Sequence, residues 1–217
     1  MTNYKMDKVL YRKIRKSDFR EIESIINKSF GLYKYVDNPI VLRYFLKTYL
    51  YSCLVEQTFN CIAEKNGKFV GVILGQSKKD YQYIKHLPYL LLLGFYSSLM
   101  LTTAKLFKCD INEYKILRKT YKELLIDSEK DFDGVLTLFA VTQECQGYGV
   151  GNELLNNLFQ YLKDKSTNNI YLFTDTTCNY GFYDSHGFIR QGEKSITITR
   201  ENELFTLNIF LYGINLM

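Results

Sequence analysis

The sequence predicts an α/β fold in one domain, with antiparallel hairpins and a helical insertion. Three observations carry this. Two β-rich runs within residues 58–76 flank Asn66-Gly67, the dipeptide that best fits the two positive-φ positions of a tight hairpin. In the last third, buried-strand runs at 134–141 (GVLTLFAV) and 170–174 (IYLFT) alternate with helical patterns. Between these parts, residues 80–130 read as helices.

Taken in order, residues 8–15 (KVLYRKIR) alternate as a strand does. Ser17 is placed to cap a helix running to about Phe30, whose apolar positions Phe19, Ile22, Ile25 and Ile26 follow three-four spacing. Pro39 suits the first turn of a second helix carrying Val41, Leu42, Phe45, Leu46, Tyr49 and Leu50. The 58–76 hairpin follows. The middle of the chain holds an uncharged stretch, Leu87 to Ala104, and then an amphipathic pattern from about Ile111 to Lys130. After GVLTLFAV, a helix from Gly149 to Leu162 puts Val150, Leu154, Leu155, Leu158 and Leu162 on one face. IYLFT is the next strand, and a short helix over 178–186 ends at Gly187, where a left-handed residue is favoured. SITITR and ELFTLNIFLYG form a closing antiparallel pair with Glu201-Asn202 in the turn.

The 217 residues, 47% hydrophobic and 24% charged, suit a single domain over 1–217 with a helical insertion at about 77–133. Five scattered cysteines lack any CxxC pair and there are two histidines, so no metal site is expected. The odd cysteine count and the absence of a secretory apolar run point to reduced thiols and a cytoplasmic location. The net charge of +5 is spread along the chain with no block of like charges. That favours an anionic small-molecule ligand and argues against nucleic acid. The tyrosines and phenylalanines are spread through every apolar segment, as core packing requires.

Leu87–Ala104 reaches the lower edge of a membrane span, but it contains Pro88 and Gly94. A single span would also put the 58–76 hairpin and the 134–141 strand on opposite sides of a bilayer, which is impossible if they share a sheet. The stretch is therefore expected to be a buried or lid helix, or the interface of a homodimer, with no membrane involved.

Residues 145–155, CQGYGVGNELL, put Gly147, Gly149 and Gly151 at alternate positions where a strand hands over to a helix. A dinucleotide fingerprint needs GxGxxG, but here Asn152 stands in the place of the last glycine. A P-loop needs Gly-Lys-Ser/Thr, which does not follow. The third reading is a pyrophosphate cradle feeding a helix N-terminus. The amides of a first helical turn have no partner within the helix, and glycines let phosphate oxygens approach them.

The strand 134–141 followed by TQECQGYGVGNELL resembles motif A of the GNAT acyltransferase superfamily, (Q/R)xxGx(G/A), with Gln146, Gly149 and Gly151 at the motif positions. FYDSHGF (182–188) resembles the family's later motif, an aromatic-Tyr pair followed by Gly-Phe. The resemblance covers most of the chain, the 77–133 segment excepted. It implies a mixed, mostly antiparallel central sheet with a splayed strand pair, flanked by helices, and a helical insertion between strands 3 and 4. The ligand it implies is acetyl-CoA or another acyl-CoA. The pyrophosphate would meet the amides of Gln146, Gly147, Tyr148, Gly149, Val150 and Gly151, with Asn152 next in line. The pantetheine arm would pair with the backbone around Phe139 and Val141, and the acyl group would sit where the strands splay.

The activity implied is N-acetylation of a primary amine on a small molecule or peptide, by direct attack on the thioester. A backbone N–H near Val141 is then the expected oxyanion donor. Tyr183 is the expected proton donor to the leaving thiolate, because a phenol's pKa lies close to that of a thiol. The base is less defined. The 134–141 strand carries no acid, so Asp175 is the candidate, with Asp133 and Glu144 as further carboxylates and a water chain as the alternative. The family often has Asn where Thr176 stands and a small residue where Asn179 stands; either side chain is placed to reach the pantetheine or the phosphates. Covalent chemistry at Cys145 would need a nearby His, which neither histidine's surroundings suggest. The rival reading is a non-catalytic acyl-CoA-binding module that keeps the cradle and lacks the chemistry.

Overall fold

The computed structural model describes residues 9–34, 36–200 and 203–217. The N-terminal alternation yields β1 (Val9–Arg12), shorter than the predicted strand, whose Lys8 lies outside the described residues. The ladder stops because Ile14 N–H donates to the Asn60 side chain at 2.9 Å instead of to a backbone carbonyl. Helix α1 (Phe19–Phe30) follows a short 3-10 turn over Lys16–Asp18. Ser17 sits inside that turn and does not cap the helix. The Asp18 carboxylate takes the local Arg15 N–H at 2.6 Å and holds the Arg12 guanidinium through two bonds of 2.8 Å, charge-assisted bonds that close the turn ahead of α1.

Helix α2 (Pro39–Glu56) begins as expected, with Pro39 in its first turn and the Asn38 side chain accepting from Ile40 N and Val41 N. Strands β2 (Phe59–Lys65) and β3 (Lys68–Ser77) pair antiparallel around Asn66 and Gly67, whose φ angles are 52° and 74°. The insertion contributes helices α3 (Tyr83–Leu106) and α4 (Asn112–Asp127). The chain continues through β4 (Gly134–Val141), α5 (Val150–Asp164), β5 (Asn169–Asp175) and α6 (Gly181–Ser185), and closes with β6 (Ile189–Arg200) and β7 (Glu203–Asn215). The turn expected at Glu201-Asn202 lies outside the described residues.

These strands form one sheet in the order β1-β2-β3-β4-β5-β7-β6. Every neighbouring pair is antiparallel except β4–β5. Helix α5 covers one face, with Leu154, Leu155, Leu158 and Leu162 fully buried against Ile73, Leu136, Ile170 and Leu172. On the other face, Ile22 and Ile26 of α1 and Leu50 and Leu54 of α2 pack on Ile62, Val72 and Leu74. α4 lies on Leu207, Ile209 and Leu211 through Leu124, with Tyr171 and Phe173 in the same cluster.

Helix α3 packs outside α2. Tyr96 stacks on Tyr51 at 5.2 Å, and Met100 and Ala104 are buried. Burial therefore holds for one face of α3 only; Ile84, Leu91, Phe95, Leu101 and Leu106 are exposed on it. The helix is long and apolar enough to cross a membrane. However, the strands on either side of the insertion are hydrogen-bonded neighbours, with Ser77 paired to Gly134. A single crossing would pull them apart.

Candidate functional site

The site begins with one extra residue in β4. Leu74 pairs with Leu138 and Gly75 with Leu136, so Thr137 is left over as a bulge. Its effect shows in the side chains. Leu136 faces α5, yet Leu138 and Ala140, of the same parity, face α2, because one inserted residue reverses the alternation. The bulge also bends β4 away from β5. The two strands pair only at Gly134–Ile170 and Val135–Tyr171, and beyond the bulge they diverge. Thr142 N–H donates to Val70 O at 2.9 Å. By the alternation of an antiparallel ladder, the backbone groups of Phe139 and Val141 then point away from β3, into the gap. The Val141 carbonyl is taken there by the Gln146 side-chain amide at 3.2 Å.

A 3-10 turn over Gln143–Cys145 leads to the glycines. Gly147 and Gly149 both have φ 79°, a left-handed conformation that costs a residue with a Cβ about 1–2 kcal/mol. Gly151 serves differently. A Cβ there would stand 3.3 Å from the Phe139 ring and 3.6 Å from Phe182, so its absence lets both rings close on the helix start. The first bonded amide of α5 is Glu153 N, donating to Gly149 O at 3.1 Å. Among the described residues, the amides from Gly147 to Asn152 find no acceptor. They converge where the helix dipole places partial positive charge, which is the chemistry of an anion site.

α6 stands over this turn, tied to it by His186. The imidazole Nδ1 lies 2.6 Å from Phe182 O and Nε2 lies 3.1 Å from Asn152 Oδ1, while the ring stacks on Phe182 at 4.0 Å. Tyr183 sits among Phe139, Phe188 and Tyr212. Its hydroxyl has no hydrogen-bond partner among the described residues. Burial, with the Cys178 sulfur adding to it, pushes the phenol well above its ordinary pKa, so it keeps its proton.

One cavity of about 1040 Å³ joins these parts. Phe139, Val141, Gln146, Gly147, Gly149 and Gly151 line one end. Asn152, Asp175, Asn179 and Tyr183 line it as well. Tyr148 is 82% exposed, and Val150 is buried in the core, so each offers the turn only its amide. Thr176 is not brought to the cavity. Its N–H donates to Asn208 O and its hydroxyl accepts from Asn208 N, which turns it toward β7. Asp175 Oδ1 accepts from Thr177 N at 2.7 Å and from the Thr177 hydroxyl. The other two carboxylates differ. Asp133 takes the amides of Asn168 and Asn169 at the far end of β4, and Glu144 is exposed. The Cys178 thiol is pushed up to about 11 by burial and by Asp175, so it is no thiolate nucleophile at neutral pH. Among the described residues, no group of three His, Cys, Asp or Glu side chains is placed to hold a metal ion.

The sequence did not reveal the His186 tie; it did suggest that the N-terminal helices and the 77–133 insertion would wall a pocket, and α4 lines the cavity with Tyr114, Leu117 and Tyr121. The amphipathic pattern of α4 marked its buried face without saying what that face would meet.

The model of the Acetyltransferase (GNAT) family matches residues 19–188 of the chain. The chain belongs to the GNAT family. The splayed β4–β5 pair and the open amides of α5 are thus parts of an acetyltransferase fold whose family uses acetyl-CoA and acts on amine acceptors of small molecules or proteins. No curated protein sequence matches this GNAT chain. Solved structures do. The ribosomal-protein-S18-alanine N-acetyltransferase of Escherichia coli is 13% identical with a TM-score of 0.53, covering 96% of this chain and 94% of its own. An N-acetyltransferase from Staphylococcus aureus Mu50 is 13% identical with a TM-score of 0.54, covering 97% and 99%. PH1933 from Pyrococcus horikoshii OT3 is 17% identical with a TM-score of 0.58, covering 96% and 98%. At these identities the likeness is one of fold.

Proposed function

We propose that this GNAT domain, residues 1–217 with the 77–133 insertion, transfers the acetyl group of acetyl-CoA to a primary amine of a small molecule or peptide by direct attack. The observation that carries this reading is the cavity, which is lined both by the glycine turn that leads into α5 and by Tyr183, beside the β4–β5 gap. The amides from Gly147 to Asn152 take the diphosphate, and the backbone of Phe139 and Val141 takes the pantetheine arm. Val141 N–H donates to the carbonyl oxygen as it gains charge. The amine nitrogen bonds to the acetyl carbon as the carbon–sulfur bond breaks. The nitrogen's proton leaves by way of Asp175 to solvent, and the sulfur receives one from Tyr183. The free cysteines, buried or half-buried, suit a reducing compartment such as the cytoplasm.

Calorimetric titration with acetyl-CoA tests the cradle, and CoA-thiol release with a panel of amines tests the chemistry. No heat on titration into folded protein would refute the whole scheme. Binding without thiol release across the panel would favour a non-catalytic acyl-CoA-binding module. We further propose that the exposed apolar face of α3 pairs two copies of the chain, since burying that face against its own symmetry mate removes it from water.

A further inference from the structure

The Tyr183 hydroxyl has no bond of its own to aim it among the described residues. Its direction is set by the rings around it and by the backbone of α6. That helix is five residues long, too short to hold its shape by internal hydrogen bonds alone. It is held from two sides instead. Phe182 and His186 fasten it to the start of α5. Asp184 reaches β7, where the Tyr212 hydroxyl donates to its carboxylate at 2.9 Å.

Tyr212 is fully buried, and its ring lies 6.1 Å from that of Tyr183. A buried phenol needs its hydrogen-bonding capacity met. Asp184 takes the proton of Tyr212, and Arg190 Nη2 donates to its oxygen at 3.2 Å. The Arg190 guanidinium is itself fixed, 3.8 Å over the Phe210 ring and with Nη1 donating to Glu193 at 3.0 Å. Asp184, Tyr212 and Arg190 thus form a chain of bonds from the exposed side of α6 into the sheet.

A bulge builds this chain. Arg190 pairs with Tyr212 and Gly192 with Leu211, which leaves Gln191 over. One inserted residue reverses the alternation of a strand. Gly192 therefore faces α4, where a Cβ would stand 3.1 Å from Leu124, while Arg190, of the same parity, faces α6 together with Tyr212. In a regular β6 the guanidinium would lie on the α4 face and the Tyr212 oxygen would lose its donor.

Resting on the acetyl-transfer reading of this site, we propose that Tyr212 and Asp184 are positioning residues: their bond, backed by Arg190, sets the angle of α6 and so aims the Tyr183 hydroxyl at the sulfur of the thioester. His186 holds the same helix for the cradle, whereas Tyr212 holds it for the proton transfer.

Tyr212→Phe keeps the ring and removes the bond. Acetyl-CoA is the donor, and the acceptor is whichever of 2-phenylethylamine, spermidine and an alanine-initiated peptide turns over fastest. In this variant kcat is expected to fall roughly 10- to 100-fold, the scale of an ångström's misplacement, with KM for acetyl-CoA unchanged. Asp184→Ala should match it. Asp184→Asn still offers the phenol an acceptor and should stay within about threefold of the wild type. In a Tyr183→Phe background no hydroxyl is left to aim, so adding Tyr212→Phe should change kcat by less than about twofold. A purely structural role would cut the rate by the same factor in both backgrounds. That result overturns the proposal, as does an unchanged kcat in Tyr212→Phe or Asp184→Ala. If acetyl-CoA does not bind, or binds and no acceptor turns over, the transferase reading fails separately and NMR decides the positioning. In protein carrying tyrosine isotopically labelled at Cζ, the Tyr183 signal is identified by its loss in Tyr183→Phe. It should move in Tyr212→Phe and in Asp184→Ala and stay in place in Asp184→Asn. A Tyr183 signal unmoved by Tyr212→Phe or Asp184→Ala overturns the proposal.

Discussion

Tyr183 carries its proton throughout the neutral range, because burial raises its pKa above the ordinary phenol value. The match to a thiol expected from the sequence is thereby lost, and its proposed role as donor rests on its place in the cavity. Tyr183→Phe removes the proton and little volume. We expect kcat to fall about 10²–10⁴-fold while acetyl-CoA affinity by calorimetry stays the same; an unchanged kcat refutes the role. The sign of the shift adds a second expectation. A phenol whose pKa is raised does not ionise near its ordinary value of about 10, so the kcat profile should show no descending limb there that Tyr183→Phe abolishes. The glycines separate by residue too. Gly149 has φ 79° and nothing within 4 Å of a new Cβ, so Gly149→Ala costs backbone strain alone, about 1–2 kcal/mol. It should lower Tm and weaken acetyl-CoA binding together, measured by calorimetry on the same sample.

At the scale of elements, α6 and α5 are joined by His186, whose Nε2 meets Asn152 in the first turn of α5. His186→Ala unfastens the roof of the cradle without touching Tyr183. KM for acetyl-CoA should rise several-fold with kcat held; an equal loss in kcat would give His186 a different part. The N-terminal entry depends on another contact, the paired bonds between Arg12 and Asp18, with Arg12 Nε also reaching Glu64 at 2.8 Å. Asp18 is nearly buried, so Asp18→Ala leaves Arg12 with less than its full charge partner and should cost about 3 kcal/mol. The Arg12 bonds hold the Asp18 carboxyl below its usual pKa, the Arg15 amide helping and burial opposing. A depressed acid stabilises the fold fully above its unfolded pKa, about 3.9, and loses that contribution as pH falls through the folded value. Urea midpoints of the wild type and Asp18→Ala should therefore converge as pH drops below about 4, and a gap that stays constant would contradict the ion pair's role.

Over the whole molecule, the sheet carries helices on both faces, and α3 is the element left with an apolar face in solvent. Leu91 and Leu92, 68% and 37% exposed, lie on it. Sedimentation of the wild type at micromolar concentration should give a dimer, and Leu91→Ser with Leu92→Ser a monomer that still binds acetyl-CoA. A monomeric wild type would remove the dimer from consideration. Because the same insertion supplies α4 to the cavity wall, the two roles can be separated by which helix is changed.

Features set by neighbouring residues were legible in the sequence. Asn66-Gly67 closes its hairpin because those two residue types tolerate positive φ, and Asn38-Pro39 starts α2 because one caps and the other needs no donor. The leucines of α5 share a face through helical geometry alone, and the glycine turn and the Tyr183 segment were recognisable as patterns. What the tertiary structure decided was everything that depends on a partner distant in the chain. The bulge at Thr137 exists only in the register of β4 against β3, yet it opens the gap in which the chemistry is proposed. Thr176 and Asn179 look alike in sequence, but the ladder with β7 claims one and leaves the other facing the cavity. The insertion reads as apolar and aromatic in the sequence, but only the meeting of α4 with α2 and β5 decides that α4 is the part of it that faces the cavity. Local steric and hydrogen-bonding preferences act within a few residues, whereas a cavity is shaped by contacts whose energies are set only when separate segments meet.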